Sequence, residues 1–534
     1  MTFCHHISDA HSRQGEEMLM EEVNLTKCLS YGINGTDGFP VTIEAYSNGG
    51  LPGMEIIGLP DASIKESKER VRAAVESSGY TFPFSRIIIN LSPADMRKEG
   101  PSFDLPIAIA VMGLIHDAIP RVLTDTVLIG ELSLDGTLLP VRGALPMVIS
   151  ASQQGIHDVI LPAGNADEVS CIQDVRIYPA HHLTEVIDHI TGTQPIPAQT
   201  QKDYAEIMDT EYTVLSDLSQ VVGQSGAKRA LEIAAAGGHN LLMVGTPGSG
   251  KTMLARCIPG ILPPLTFEEA LETTKIHSIA GKIGPGEGLM IRRPFSSPHH
   301  TASVASLIGG GSNARPGEVS LAHNGVLFLD EMPEFTRASL EALRQPLEDG
   351  YVSVSRVMKQ ARYQSSFMLV AGMNPCPCGY FGSRQKQCTC TPNEIKHYLD
   401  KISGPLLDRI DLQIEVDQVP VKEINNGKAP ETSAEVAARV AKARNIQNER
   451  YKGTGIFCNA QLEQSMMKKY CSTDEATTEL LNMSIDRLHL SMRAYNRILK
   501  VARTIADLAE HQNIQTEDVA EAIQYRELDS KYWG

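Results

Sequence analysis

The chain has no run of about 18 apolar residues, so no segment reads as a membrane-spanning helix. Its first fourteen residues are polar and rich in histidine, with none of the apolar core that a secretion signal needs. Residues 1–20 therefore read as a disordered leader, with Met18 or Met20 the expected start, and the chain is expected in the cytoplasm with no membrane partner. Ten cysteines in 534 residues are too few for a disulfide scaffold. Positive charge is not in excess either: the net charge of −16 excludes a wholly basic nucleic-acid coat. It leaves room for a local basic channel, because binding depends on where charges sit. What is present is an ordinary globular composition, 42% hydrophobic, over a length that predicts about two to four domains.

The most informative stretch is Gly245-Thr246-Pro247-Gly248-Ser249-Gly250-Lys251-Thr252. It follows an apolar run, Leu241 to Val244, that reads as a buried strand, and it precedes a helix start at Met253. That setting makes it a phosphate-binding loop. Its glycines let backbone N–H groups curl around phosphates, and the helix N-terminus adds positive potential. Lys251 is expected to reach the β- and γ-phosphates of ATP and Thr252 to hold Mg²⁺. Further on, Val326-Leu327-Phe328-Leu329 ends in Asp330-Glu331, a buried strand that delivers two acids where parallel sheets bind ligands. Asp330 is expected to hold Mg²⁺ through water, and Glu331 to orient the attacking water. A third apolar strand, Phe367 to Met373, ends in Asn374, which fits a sensor of the γ-phosphate.

Around this centre the chain divides into segments. Residues 21–192 alternate strand-like and helix-like patterns: strands at Val41–Ala45, Arg86–Leu91, Val127–Gly130 and Asp158–Pro162, helices at Ala62–Ser78 and Asp104–Ile115. Residues 193–215, with Pro195 and Pro197, read as a linker. Residues 216–425 hold the nucleotide motifs. Within them, Pro259 to Asn324 suggests mobile loops, and His299-His300 offers either metal ligands or a loop contact. A helix over Thr336–Gln345, ended or kinked by Pro346, precedes a hairpin from Tyr351 to Tyr363. Arg356 and Lys359 sit near the hairpin's tip with Arg362 just beyond, in position to track a phosphodiester backbone or simply to form a solvated turn. Residues 426–534 are mostly helical, at Ser433–Arg450, Ala460–Tyr470, Thr473–Met483, Ser491–Glu510 and Thr516–Glu527. Finally, Cys376-Pro377-Cys378 and Cys388-Thr389-Cys390 flank a short loop in an insert at 376–390. Four thiolates suit a structural Zn²⁺ site, although the C-x-C spacing is tighter than usual. Free structural cysteines and a redox switch are the alternatives.

Two resemblances follow from these residues. Lys98-Glu99-Gly100-Pro101-Ser102 and Leu139 to Leu145, with Gly155-Ile156 and Val159 to Pro162, resemble the Lon-protease segments that carry the catalytic serine and lysine. Where the family places that lysine, this chain has Leu145. A serine cannot be activated without an amine to take its proton, so the resemblance implies a Lon-like α+β fold without peptidase activity, Ser102 serving as a loop or cap residue. The rest resembles AAA+ ATPases. Taken in order, an N-terminal Lon-protease-like domain, an AAA+ phosphate-loop core and a C-terminal helical lid are similar to the magnesium-chelatase-like AAA+ proteins of the YifB/ComM family. Pro316-Gly317-Glu318 and Ala322 to Leu327 resemble the chelatase ATPase subunit in particular.

The resemblance implies that Val222 and Gly223 line an adenine pocket. It implies that Arg409, in Gly404 to Asp411, is an arginine finger given to a neighbouring subunit; an ion pair with Asp408 or Asp411 is the alternative. Arg493 becomes the second sensor, with Arg497 next in line. It implies a homo-oligomer, a hexameric ring acting on single-stranded or branched DNA as a helicase in branch migration during natural transformation. A chelatase-like ATPase that remodels a protein partner is the competing function. A protease is disfavoured by Leu145, and a nucleotide-gated scaffold by the Asp330–Glu331 pair.

Overall fold

The computed structural model describes residues 24–208, 216–311, 314–356, 359–383, 386–418, 430–488 and 490–533. The expected leader and linker residues 209–215 lie outside the described residues, as do 357–358 at the hairpin tip and 419–429 before the helical part.

The N-terminal domain is built on a seven-stranded sheet. In spatial order its strands are Gly53–Ile57, Arg86–Ser92, Asp37–Asn48, Leu25–Asn34, Val122–Leu128, Asp158–Pro162 and Arg176–Ala180. Leu25–Asn34 and Asp37–Asn48 form an antiparallel hairpin, while the strands from Leu25–Asn34 out to Arg176–Ala180 run parallel. The helix Ala62–Ser77 buries Ile64, Val71, Ala74 and Val75, the face its spacing predicts. It lies with the wholly buried helix Asp104–Met112 over one side of the sheet. The other side meets the nucleotide-binding core. Tyr31, Val127, Val159 and the helix Ala144–Gln153 share one apolar cluster with Leu265, Ala270 and Leu289. The Glu168 carboxylate accepts from the Leu145 N–H at 2.8 Å and from the Ser278 hydroxyl at 3.0 Å across that junction. Burial pushes the Glu168 carboxyl above its ordinary range, with these two donors pulling the other way.

The second sheet has five strands, in the order Phe295–Ser296, Val326–Leu329, Met368–Met373, Leu241–Val244 and Leu412–Glu415, parallel throughout. A parallel sheet covered on both faces needs near-continuous apolar strands, and all residues of Leu241–Val244, Val326–Leu329 and Met368–Met373 are buried. Alternate residues serve opposite cores. Leu241, Met243 and Phe328 face the helices Ser225–Gly237 and Lys251–Ile261, whereas Leu242, Val244 and Leu329 face the side that carries the hairpin. The helical part joins the first of these cores. Val436, Val440 and Ala443 of Ser433–Arg450, and Ile498, Val501 and Ile505 of Met492–Leu508, pack in the cluster around Leu231 and Ile233. Among the described residues, no helix is long and apolar enough to cross a membrane.

Two expectations need correction. The loops expected from Pro259 to Asn324 include a 14-residue helix, Phe267–Ala280. A capping box of Thr266 and Glu269 starts it, and Gly281 ends it at φ +70°. The single helix expected over Thr336–Gln345 is two short ones, Arg337–Ala342 and Arg344–Asp349, which meet at Leu343. Pro346 does not end a helix; it sits in the first turn of the second, where its missing N–H leaves no bond unmade.

Candidate active site

The three central strands end side by side. Leu242 pairs with Ala371 and Leu329 also pairs with Ala371, so Gly245, Asp330 and Asn374 emerge together at one edge. The loop between Val244 and Lys251 turns through Gly248 and Gly250 at φ +77° and +92°, conformations that glycine adopts without strain. Gly245 has a second reason to lack a side chain: a Cβ there would lie 2.2 Å from the Val416 carbonyl oxygen. Lys251 is buried, and its Nζ donates to the carbonyls of Gly245 at 2.7 Å and Thr246 at 3.1 Å and to Asn374 Oδ1 at 3.3 Å. Burial holds its amine below the usual lysine range, while Asp330 and Glu331 pull it back up. The Ser249 hydroxyl is buried inside the loop and, among the described residues, has no hydrogen-bond partner, an orphan that a bound phosphate would satisfy. The Thr252 hydroxyl donates to Asp330 Oδ2 at 2.7 Å, so the two side chains expected on Mg²⁺ already touch. The residues present fit MgATP.

Glu331 adopts φ +51°, a left-handed conformation rare for its residue type. Its N–H donates to Asp330 Oδ1 at 3.0 Å, and its carbonyl accepts from Glu334 N–H at 2.7 Å, which pins the turn. Such strain often marks functional sites. The Glu331 carboxylate lies 3.6 Å from His300 Nδ1, and the His300 ring rests 4.1 Å from that of His299. The histidine pair is therefore a loop contact on the acid. Among the described residues, the one cluster of three or more His, Cys, Asp or Glu side chains close enough to share a metal is the four-cysteine group. Sequence reasoning found His300 but not its role, because the contact spans 31 positions and no local pattern announces it.

Val222 is part-exposed and Gly223 has φ +62°, just before the helix Ser225–Gly237. Gln224 beside them donates to the Ser249 carbonyl at 3.4 Å, which ties this segment to the phosphate loop. Arg409 pairs neither with Asp408 nor with Asp411: its guanidinium binds Glu348 and donates to the Pro405 carbonyl at 2.6 Å. Arg493, in the first turn of Met492–Leu508, pairs at 3.4 Å with Asp408, the neighbour of Arg409 in the chain. That pair brings Arg493 close to the segment that carries Arg409. Arg497 is committed elsewhere, to the buried Asp411. Burial would push the Asp411 carboxyl up, but Arg497, with His239 and Lys500, outweighs it and holds it well below the usual range. Arg497→Ala should therefore lower stability by about 3–5 kcal/mol, since it strands a buried carboxylate, whereas Arg493→Ala, 69% exposed at its side chain, should change it by under about 0.5 kcal/mol. Thermal unfolding at pH 7 checks both. The Asp411 contribution is complete above the unfolded carboxyl's titration near ~4 and disappears only as pH falls below it.

The expected Lon-like serine, Ser102, lies in the turn Pro101–Phe103 that leads into Asp104–Met112. Leu145 is fully buried in the cluster against the nucleotide-binding core, so the position that would supply an amine supplies packing instead. Cys376, Cys378, Cys388 and Cys390 converge, with all four sulfurs within 4.8 Å of one another.

The chain matches three family profiles in sequence: subunit ChlI of Mg-chelatase at residues 43–165, magnesium chelatase subunit ChlI at 217–424, and the ChlI C-terminal region at 430–526. It is 42% identical to the uncharacterized protein YifB of Salmonella typhimurium, over 93% of this chain and 96% of that protein. The chain belongs to the magnesium-chelatase-like AAA+ ATPases of the YifB/ComM family. A second member, competence protein ComM of Haemophilus influenzae, is also 42% identical, over 91% of this chain and 94% of its own length. Similarity to a Lon protease of Trichlorobacter lovleyi is partial, 28% identity over 35% of this chain. Family membership and the fit of the phosphate-loop residues agree on an ATPase with ATP and Mg²⁺ as its cofactors.

Proposed function

We propose that this protein is a ring-forming ATPase of the cytoplasm, a hexamer that uses ATP hydrolysis to move single-stranded or branched DNA, as a ComM-like helicase of branch migration in DNA uptake and recombination. The hydrolytic half rests on two contacts beside Glu331, Thr252 with Asp330 and Lys251 with Asn374. The motor half is supported by the hairpin Tyr351–Arg356 and Lys359–Gln364, whose register sets Arg356 against Lys359 at its tip. Its inner face is packed through Val352, Val354 and Tyr363, so the basic residues ride on a fixed stem. Arg362 stacks 3.5 Å over the Tyr351 ring, a surface on which a nucleobase could also stack. Similarity to a protein named for competence favours DNA as the load. The expected result is ATP turnover that rises on addition of single-stranded or branched DNA. Normal basal turnover that no nucleic acid stimulates would overturn the motor. A chelatase-like role on a protein partner is the second reading, favoured by the match across 217–424. The cofactors of this reading are ATP and Mg²⁺, with structural Zn²⁺ in the four-cysteine cluster.

A further inference from the structure

We infer that the four-cysteine cluster is a tetrathiolate zinc strut for the phosphate loop, so that bound metal sets the affinity of the site for ATP. The coupling half of this inference rests on reading Gly245–Thr252 as the ATP loop; the metal half stands alone.

The sulfurs have the spacing of a ligand shell. Cys376 and Cys378 are 3.4 Å apart, Cys378 and Cys388 3.6 Å, and Cys376 and Cys388 3.7 Å. Zinc–sulfur bonds of about 2.3 Å in a tetrahedron put sulfurs about 3.8 Å apart, whereas a disulfide needs about 2.05 Å. The short C-x-C spacing does not prevent the four sulfurs from converging. Backbone N–H groups then point at them: Cys378 N–H donates to Cys390 Sγ and Phe381 N–H to Cys376 Sγ, both at 3.3 Å, and Cys390 N–H to Cys388 Sγ at 3.4 Å. Four thiolates and one Zn²⁺ carry a net charge of about −2, and such outer donors are what offsets it.

The cluster also touches three parts of the nucleotide site. Cys376 follows two residues after Asn374, whose side chain accepts from Lys251. Gly379, at φ +83°, packs so closely on the phosphate loop that a Cβ would lie 2.6 Å from Pro247 Cδ. Phe381 meets the Tyr532 ring at 6.4 Å, and the Tyr532 hydroxyl donates to Glu415 at 2.8 Å. Glu415 ends the strand beside Leu241–Val244, and Val416 after it lies against Gly245. A crosslinked knot at this point holds Pro247 and Asn374 in register. Without metal, no coordinate bond ties the Cys388–Cys390 arm to the Cys376–Cys378 arm, and the loop loses that support.

Elemental analysis of the full-length chain should find one zinc per chain. Stripping it from the folded protein with a strong chelator should weaken binding of a fluorescent ATP analogue at least tenfold, with far-ultraviolet circular dichroism unchanged and binding restored by added zinc. Cys388→Ser with Cys390→Ser, distant in sequence from Asn374, should lose the metal and the affinity together. Gly379→Ala should keep its zinc yet weaken the analogue, because the new methyl group meets Pro247. Chains without zinc, with these thiols free or paired as disulfides, would overturn the metal site. Zinc present but nucleotide affinity indifferent to its removal would overturn the strut while leaving the metal. A zinc-loaded chain that binds no nucleotide would overturn the ATP reading and the strut with it, the metal count standing independently.

Discussion

Glu331→Gln is expected to lower ATP turnover by about 10²–10⁴-fold, the usual contribution of a positioned base, while leaving ATP bound. The argument is geometric. Lys251, Thr252 and Asp330 would hold phosphate and metal without help from Glu331, so binding should survive. Glu331 leaves the same strand end one residue later, in a left-handed turn pinned at both its N–H and its carbonyl. Glutamine preserves that turn and its shape but cannot accept a proton from water. Single-turnover hydrolysis and retention of labelled ATP on the isolated protein check the result, and unchanged turnover would remove Glu331 from the chemistry. His300 adds a refinement. With its ring 3.6 Å from the carboxylate, it competes with water for the same oxygen, so His300→Ala should raise basal turnover a few-fold without changing ATP affinity.

The second large effect is expected at Arg409. Removing a finger that stabilises transition-state charge costs about 10³–10⁵ in turnover. Here the guanidinium is engaged with Glu348 in its own chain and only 14% exposed. To serve a neighbour it must exchange that carboxylate for a phosphate, a trade that an ATP-loaded interface would favour. Arg409→Ala subunits should therefore be almost inactive alone. Mixed with Lys251→Ala subunits they should recover part of the activity, because some interfaces then pair an intact loop with an intact finger. If no mixture recovers, Arg409 acts only as the partner of Glu348, and Glu348→Ala should reproduce its defect.

The parts of this site that could be read from sequence are those whose signal is local. The loop at Gly245–Thr252 announces itself by spacing, and Asp330 and Asn374 by the apolar strands that end at them. The helix Phe267–Ala280 escaped because its buried residues are largely threonine, alanine and serine, among them Thr273, Thr274 and Ser278. Such residues leave no apolar stripe, yet Thr266 and Glu269 carried a capping signal that could have found it. Pro346 misled because proline breaks a helix interior but suits its first turn. Arg409 with Glu348, His300 with Glu331 and Gly379 with Pro247 are contacts between distant positions. Only the folded chain brings them together.

The junction through Glu168, Ser278, Leu145 and Ala270 makes the N-terminal domain a thermodynamic dependant of the nucleotide site. The helix Phe267–Ala280 belongs to one apolar cluster with that domain and is continuous in the chain with the helix that follows the phosphate loop. Calorimetry should then record a single cooperative transition rather than two. A nucleotide at a hundred times its dissociation constant adds about 2.7 kcal/mol to whatever unfolds with its site. In this chain that unit includes a domain in which none of the nucleotide-site residues lies.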